Sequence, residues 1–220
     1  MKDLILEENY SAWLPSEKNE PILDLGCGDG RILHFLSIKG YTQILGVDRD
    51  LDSILKAGKI PGVSLECENV DVTYLNKHKG QFRLIILRQV LYYIDRRDVL
   101  DFMKALRNAL SNDGVLLIEF FNASLLSSRF TELKDPFILT AYTEHSIRSL
   151  INSAGLFEWN TNGIHKTPTH WRSYLYNGAR YCWSLLLKFV YILERGSDDQ
   201  LPKIFAKSIL TVAGRKPSFS

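Results

Sequence analysis

The chain is poor in several things that would decide its class at once. It has 3 cysteines, Cys27, Cys67 and Cys182, scattered and odd in number. That spacing offers neither a disulfide framework nor a metal-binding pair, so no metal site is expected, and it fits a reducing cytoplasm. No run of about 18 apolar residues occurs, so no plain membrane-spanning helix is expected. The opening stretch MKDLILEENYSAW carries acids and a tryptophan inside its apolar part, unlike a secretion signal. An excess of one charge is missing too: the net charge is +2. That leaves no overall footprint for nucleic acid, which is not expected as a partner. What remains is 220 residues at 45% hydrophobic composition, enough for a single domain over 1–220 with a full core.

Along the chain, residues 2–14 read as a short amphipathic helix within an N-terminal segment 1–19. PILDLGCG is a buried strand that runs into a glycine turn. RILHFLSIKG then has helical periodicity and a Gly40 stop. TQILGVD is a second strand, and Asp50 can cap the helix after it. GVSLEC is a third strand, closing on ENVDV, and FRLIILRQ reads as a strand covered on both faces. Asp95 is expected to open a helix in which Val99, Phe102, Met103, Leu106 and Leu110 recur at helical spacing. NDG at 112–114 reads as a turn before the fifth strand, VLLIEFF. Five alternations of strand and helix imply an α/β parallel sheet with helices on both faces. In the last third, Thr143 can cap the helix EHSIRSLINSA, and LFEWN and KSILTVAG read as strands. The roughly 40 residues between those two strands far exceed the usual connection of about 2–6 residues. They form a helical insertion, 162–203, expected to cap a substrate.

The turn after the first strand places Gly26, Gly28 and Gly30 at alternate positions, where missing side chains let a ligand approach the backbone. The helix starting near Arg31 aims its free amides and positive dipole end at the same place. A phosphate loop would need Gly-Lys-Ser/Thr, which is absent. A dinucleotide turn would need G-x-G-x-x-G, and here the spacing is G-x-G-x-G. Asp24, just before the first glycine, would repel a pyrophosphate but suit a ligand with a cationic amine, as in S-adenosylmethionine. Asp48, ending the second strand in GVDRD, can accept from ribose hydroxyls. Asp71 can accept from an adenine amino group while the backbone of Val72 meets the ring. For each acid the alternative is an ordinary turn or cap residue.

ILDLGCGDGRIL resembles motif I of the class I S-adenosylmethionine-dependent methyltransferases. GVDRD is similar to their acidic motif after it, and Asp71 matches their adenine-side acid. LINSAGLFEW resembles their helix-to-strand passage. The resemblance covers about residues 20–160 and the final strand. It implies a Rossmann-like, doubly wound seven-stranded sheet whose last strand is antiparallel, with the insertion between strands six and seven. It also implies S-adenosyl-L-methionine as cofactor, held by Asp24, Gly26, Cys27, Gly28, Gly30, Asp48, Arg49, Asp71, Val72 and Arg88.

Methyl transfer mainly requires alignment of the acceptor and, where needed, removal of its proton. Arg88, Gln89, Tyr92, Tyr93, Glu119 and Asn122, after strands four and five, are candidates to face the acceptor. The histidine that related enzymes often carry near Tyr92 or Tyr93 is missing. The base candidates are therefore His170 and His145, with Tyr92 as a further catalytic candidate. A helix N-terminus favours a neutral imidazole at His145, the form a base needs. His165 and His170 lie in GIHKTPTHWRSY, which could form a lid or a sugar-stacking surface. In the same family, N-terminal helices carrying residues such as Tyr10 and Trp13 often fold over the cofactor.

The apolar stretch ARYCWSLLLKFVYILERG allows three readings: a cap on the active site, a homodimer seam, or a helix in a membrane interface near a lipid-linked acceptor. Arg172, Arg180, Lys188 and Arg195 would support an anionic acceptor or an anionic surface. The order of aromatic helix, LERG, acidic stretch and IFAKSILTVAGRK resembles bacterial methyltransferases of surface-polysaccharide and glycolipid synthesis. It points to O-methylation of a glycan, a glycolipid or another small-molecule hydroxyl, in a cytoplasmic protein that can contact a membrane periphery. Two other readings stay open at this point: a non-catalytic adenosylmethionine-binding subunit that activates a partner, and an NAD-dependent oxidoreductase.

Overall fold

The computed structural model describes residues 3–168, 170–197 and 201–215. Residues 1–2, 169, 198–200 and 216–220, at the ends of the expected domain and inside the expected insertion, lie outside the described residues. Seven strands form one sheet: β1 (Ile22–Leu25), β2 (Ile44–Asp48), β3 (Val63–Cys67), β4 (Phe82–Arg88), β5 (Leu110–Phe121), β6 (Phe157–Gly163) and β7 (Ser208–Gly214). Their order is β3-β2-β1-β4-β5-β7-β6. β1 to β5 are mutually parallel, and β7 runs antiparallel between β5 and β6. This is the expected doubly wound sheet with an antiparallel last strand.

The central strands read as unbroken apolar runs because both of their faces are covered. Among the described residues eight α-helices accompany the sheet: α1 (Leu4–Tyr10), α2 (Arg31–Ile38), α3 (Leu51–Ala57), α4 (Val72–Asn76), α5 (Val99–Ala109), α6 (Leu126–Lys134), α7 (Glu144–Ser153) and α8 (Trp171–Arg195). On one face α5 and α7 bury Phe102, Met103, Leu106, Ile147 and Ile151 against β4 and β5. On the other, Leu6 and Tyr10 of α1 and Leu33 and Leu36 of α2 pack over Ile22, Leu84 and Leu117.

Local signals set several boundaries. Asp50 caps α3 by accepting the Asp52 N–H at 3.3 Å. Thr143 and Ser146 form a reciprocal capping box at the start of α7. Asp95, however, does not open a helix. Its carboxylate accepts the Arg97 N–H and pairs with the Arg97 guanidinium, closing a turn, and α5 begins only at Val99. NDG lies inside β5 rather than before it. Phe82 pairs with Leu110 and Leu84 with Val115, so residues 111–114 form an excursion within the strand. The apolar stretch expected from Ala179 belongs to a helix that starts eight residues earlier, at Trp171.

That helix, α8, occupies the insertion between β6 and β7, and only Leu187 along its length is buried. Tyr191 anchors its end by donating to the Ser124 carbonyl at 2.7 Å.

Candidate active site

The carboxyl ends of β1, β2 and β4, where the strand order reverses, meet the turn between β1 and α2. This is where open parallel sheets bind ligands. The turn is stitched to β2: the Gly26 and Cys27 amides donate to the Val47 carbonyl at 2.7 and 3.1 Å. Gly26 has φ of +72°, and a Cβ there would run into the Val90 side chain. At Gly28 a Cβ would meet nothing within 4 Å, so the backbone faces open space. Gly30 is the left-handed residue before Arg31, where α2 begins.

Asp24 is 1% exposed, and one carboxylate oxygen, Oδ2, has no hydrogen-bond partner among the described residues. Burial pushes its carboxyl up to about 7, against the pull of the Arg88 guanidinium and with a further push from Asp48. A buried acceptor left open in this way invites a cation or a donor. Asp48 accepts the Gly28 N–H at 2.8 Å and the Asp50 N–H at 2.9 Å, so its carboxylate faces the glycine turn. Arg49 beside it is exposed. Asp71 caps α4 by accepting the Tyr74 N–H at 2.8 Å, and Val72 opens that helix half-buried. Cys27 is buried, and burial pushes its thiol well above the ordinary range.

A second cluster sits where β4 and β5 end, in register at Arg88 and Glu119. Glu119, 6% exposed, accepts from Arg88 Nε at 3.1 Å, from Gln89 Nε2 at 3.0 Å and from the Tyr10 hydroxyl of α1. Tyr92 donates to Gln89 Oε1 at 2.9 Å. Gln89 has φ of +62°, which is uncommon for a residue with a side chain. Its N–H to the Glu119 carbonyl at 2.8 Å helps to hold it there. Backbone strain of this kind persists only where surrounding bonds fix it, and it clusters at functional sites. The sequence names Gln89 as facing the site but carries no signal for the strain, since glutamine has no special left-handed preference.

The other named residues are spread out. Tyr93 donates to Asp135 at 2.7 Å. Asn122 is consumed internally: it donates to the Ile204 and Ala206 carbonyls and accepts from Ser124 N–H. His145 Nε2 lies 3.2 Å from the Leu201 carbonyl. His170 is exposed at the start of α8.

Beside this cluster, the ends of β6 and the stretch 203–206 line a groove of about 880 Å³ whose far wall is α8. Asn162, Ser173, Tyr176, Asn177, Tyr181 and Ser184 supply polar groups and rings to it. α1 touches both places. Tyr10 reaches Glu119, while Asn9 brackets the His165 backbone at 2.8 and 3.0 Å and Glu8 accepts the Thr167 N–H at 2.9 Å.

The family model described as a methyltransferase domain matches residues 2–158. No curated protein matches the chain. Similar solved structures include an S-adenosylmethionine-dependent methyltransferase from Archaeoglobus fulgidus, at 14% identity and TM-score 0.64, covering 89% of this chain and 86% of that one. A chain of the complex between the Haloferax volcanii Trm112 methyltransferase activator and a methyltransferase is 16% identical, with TM-score 0.70, covering 97% and 90%. An S-adenosylmethionine-dependent methyltransferase from Mesorhizobium loti is 17% identical, with TM-score 0.67, covering 96% and 98%. At these identities the structures share the fold. The matched span ends at Glu158, before the groove begins.

Proposed function

The chain belongs to the class I S-adenosylmethionine-dependent methyltransferases, and from that premise we propose that it methylates a hydroxyl of a glycan, a glycolipid or another small molecule held in the groove under α8. S-adenosylmethionine is its cofactor, and when bound it supplies a methyl group on a good leaving group. The acceptor reading rests on one observation: a groove of about 880 Å³, rich in hydroxyl, amide and ring groups, opens at the carboxyl end of β6, where Asn162 lies level with Glu119 across β7. That size suits a small ligand. The insertion 162–203 is then the acceptor cap of a single domain spanning 1–220.

Each residue has a part in this reading. Asp24 takes the ammonium group of the cofactor on its open oxygen. Asp48 takes the ribose, and Asp71 with Val72 borders the adenine. Gly26, Gly28 and Gly30 keep the turn clear, with Cys27, Arg49 and Arg88 around it. Arg88, Gln89 and Tyr10 all donate to Glu119, so its oxygens are occupied and it shapes the site. Tyr92 serves as a hydrogen-bond donor, because burial pushes its phenol well above the ordinary range. His170, exposed at the start of α8, is the base; His145 is the other candidate. The free thiols Cys27, Cys67 and Cys182 suit a cytoplasmic setting.

The test is turnover of radiolabelled methyl groups by the purified chain with soluble glycans and cell-envelope fractions. His170→Ala should lower the rate 10²–10⁴-fold, as is typical on loss of a general base, with adenosylhomocysteine affinity unchanged. A rate within about twofold of wild type would remove His170 from the mechanism. Asp48→Ala should weaken adenosylhomocysteine binding in calorimetry by roughly 1.5–3 kcal/mol, the range for bonds to a charged group. An unchanged affinity would refute the ribose role.

A further inference from the structure

The insertion helix α8 is built inside out. Seven residues, from Arg172 through Tyr176 and Arg180 to Ser184, line the groove and form one stripe at helical spacing. The opposite stripe carries Trp171, Leu175, Leu185, Leu186, Phe189 and Leu193, each exposed by half or more of its surface. Gly178 and Cys182 complete that outer stripe, and no charged residue lies on it. A soluble helix normally buries its apolar stripe and exposes its charges. Here the polar stripe lines the groove, and the apolar one faces away from it.

Charge follows the same geometry. α8 carries Arg172, Arg180, Lys188 and Arg195 against the single acid Glu194. Arg172 and Arg180 face the groove, joined there by Lys166 and Lys203, and the described lining residues include no carboxylate. The whole chain has a net charge of only +2, so these cations are concentrated by the fold. A polar face rich in Lys and Arg, opposite an apolar face with aromatic residues, is the pattern of a helix lying in a membrane interface. There the apolar stripe sinks about 5–10 Å and the cations stay among the headgroups. Among the described residues no helix is long and apolar enough to cross a membrane, so lying in the interface is the geometry open to it. A second copy fits less well. At 1.5 Å per residue α8 is about 37 Å long and about 10 Å wide. One face of it covers on the order of 400 Å², about half of the roughly 800 Å² per partner in a stable interface.

We propose that α8 seats the protein on an anionic lipid bilayer, its apolar stripe in the interface and its cationic groove open at the level of the headgroup phosphates. The surface recognised is an anionic lipid headgroup layer. The proposal does not depend on which acceptor is methylated.

The experiment is flotation of the purified full chain with vesicles of phosphatidylcholine alone and of phosphatidylcholine with phosphatidylglycerol. The protein should float with the anionic vesicles, hardly with the neutral ones, and should release as salt is raised. Leu175→Glu with Phe189→Glu should abolish flotation. Arg172→Gln with Arg180→Gln should weaken it about thirtyfold, from the attraction of two surface cations. Both variants should keep wild-type adenosylhomocysteine affinity, which shows that they fold. Failure to float on either vesicle overturns the proposal, and so does equal flotation on both. So does a wild-type dimer that Phe189→Glu converts to monomer, since a second copy would then cover the stripe. None of these readouts uses methyl transfer, so failure here leaves the proposed reaction standing, and a silent turnover assay leaves the flotation result valid.

Discussion

Asp24 carries the clearest chemistry of any single residue. Its carboxyl, buried with one oxygen unpartnered among the described residues, is pushed by burial from an ordinary 3.8 up to about 7. A bound cation stabilises the charged form, so binding and ionisation are linked. Below pH 7 the site must lose a proton to bind, and adenosylhomocysteine affinity should fall up to about tenfold per pH unit from 7 to 5. Calorimetry across that range checks this. Asp24→Asn should weaken binding and flatten the profile; a wild-type profile that is already flat would mean that Asp24 does not meet the ammonium group. The sign for stability is opposite to that of an ordinary ion-paired carboxylate. Because the folded value is raised, the contribution is fully present below about 4 and is lost as pH rises through 7. Asp24 was legible from its place before the glycines. Gln89 was legible only as a neighbour of the site. Its left-handed backbone comes from three bonds that reach it across β4 and β5 and along the loop to Tyr92, which a local reading cannot assemble.

Among the elements, the strands and α2, α3, α5 and α7 follow from periodicity and caps. α4 and α6 were not seen. α4 is a single turn held by the Asp71 cap, and α6 has no side-chain cap and little apolar periodicity. α8 was recognised as apolar and helical, but which way it faces could not be read. Periodicity shows that two stripes exist, whereas the groove residues at 162–167 and 203–206 decide which stripe turns inward. This orientation predicts a kinetic difference. With one buried residue along its length, α8 should exchange its amide hydrogens far faster than α5, which buries six. Anionic vesicles should slow exchange in α8 alone. Protection of α8 equal to that of α5 without vesicles would mean that its apolar stripe is already covered.

Across the molecule, strand identity was legible because buried parallel strands are continuous apolar runs. The strand count and the antiparallel last strand came from the family resemblance, and the strand order came only with the structure, since nothing local encodes which strand neighbours which. The strands of 20–160 and most of its helices were readable in the sequence; the groove depends on how the chain between β6 and β7 folds back. The pairing at its base matters here. Gly163 is opposite Ile209, so the chain leaves and re-enters the sheet on adjacent strands, about 4.8 Å apart. A segment whose ends leave the sheet side by side can lengthen cheaply, since doubling its length costs only about 0.6 kcal/mol in closure entropy. In evolutionary terms it is an exchangeable cassette. On the proposed reading of the groove, new acceptors can be acquired by rewriting these residues while the rest of the sheet stays unchanged.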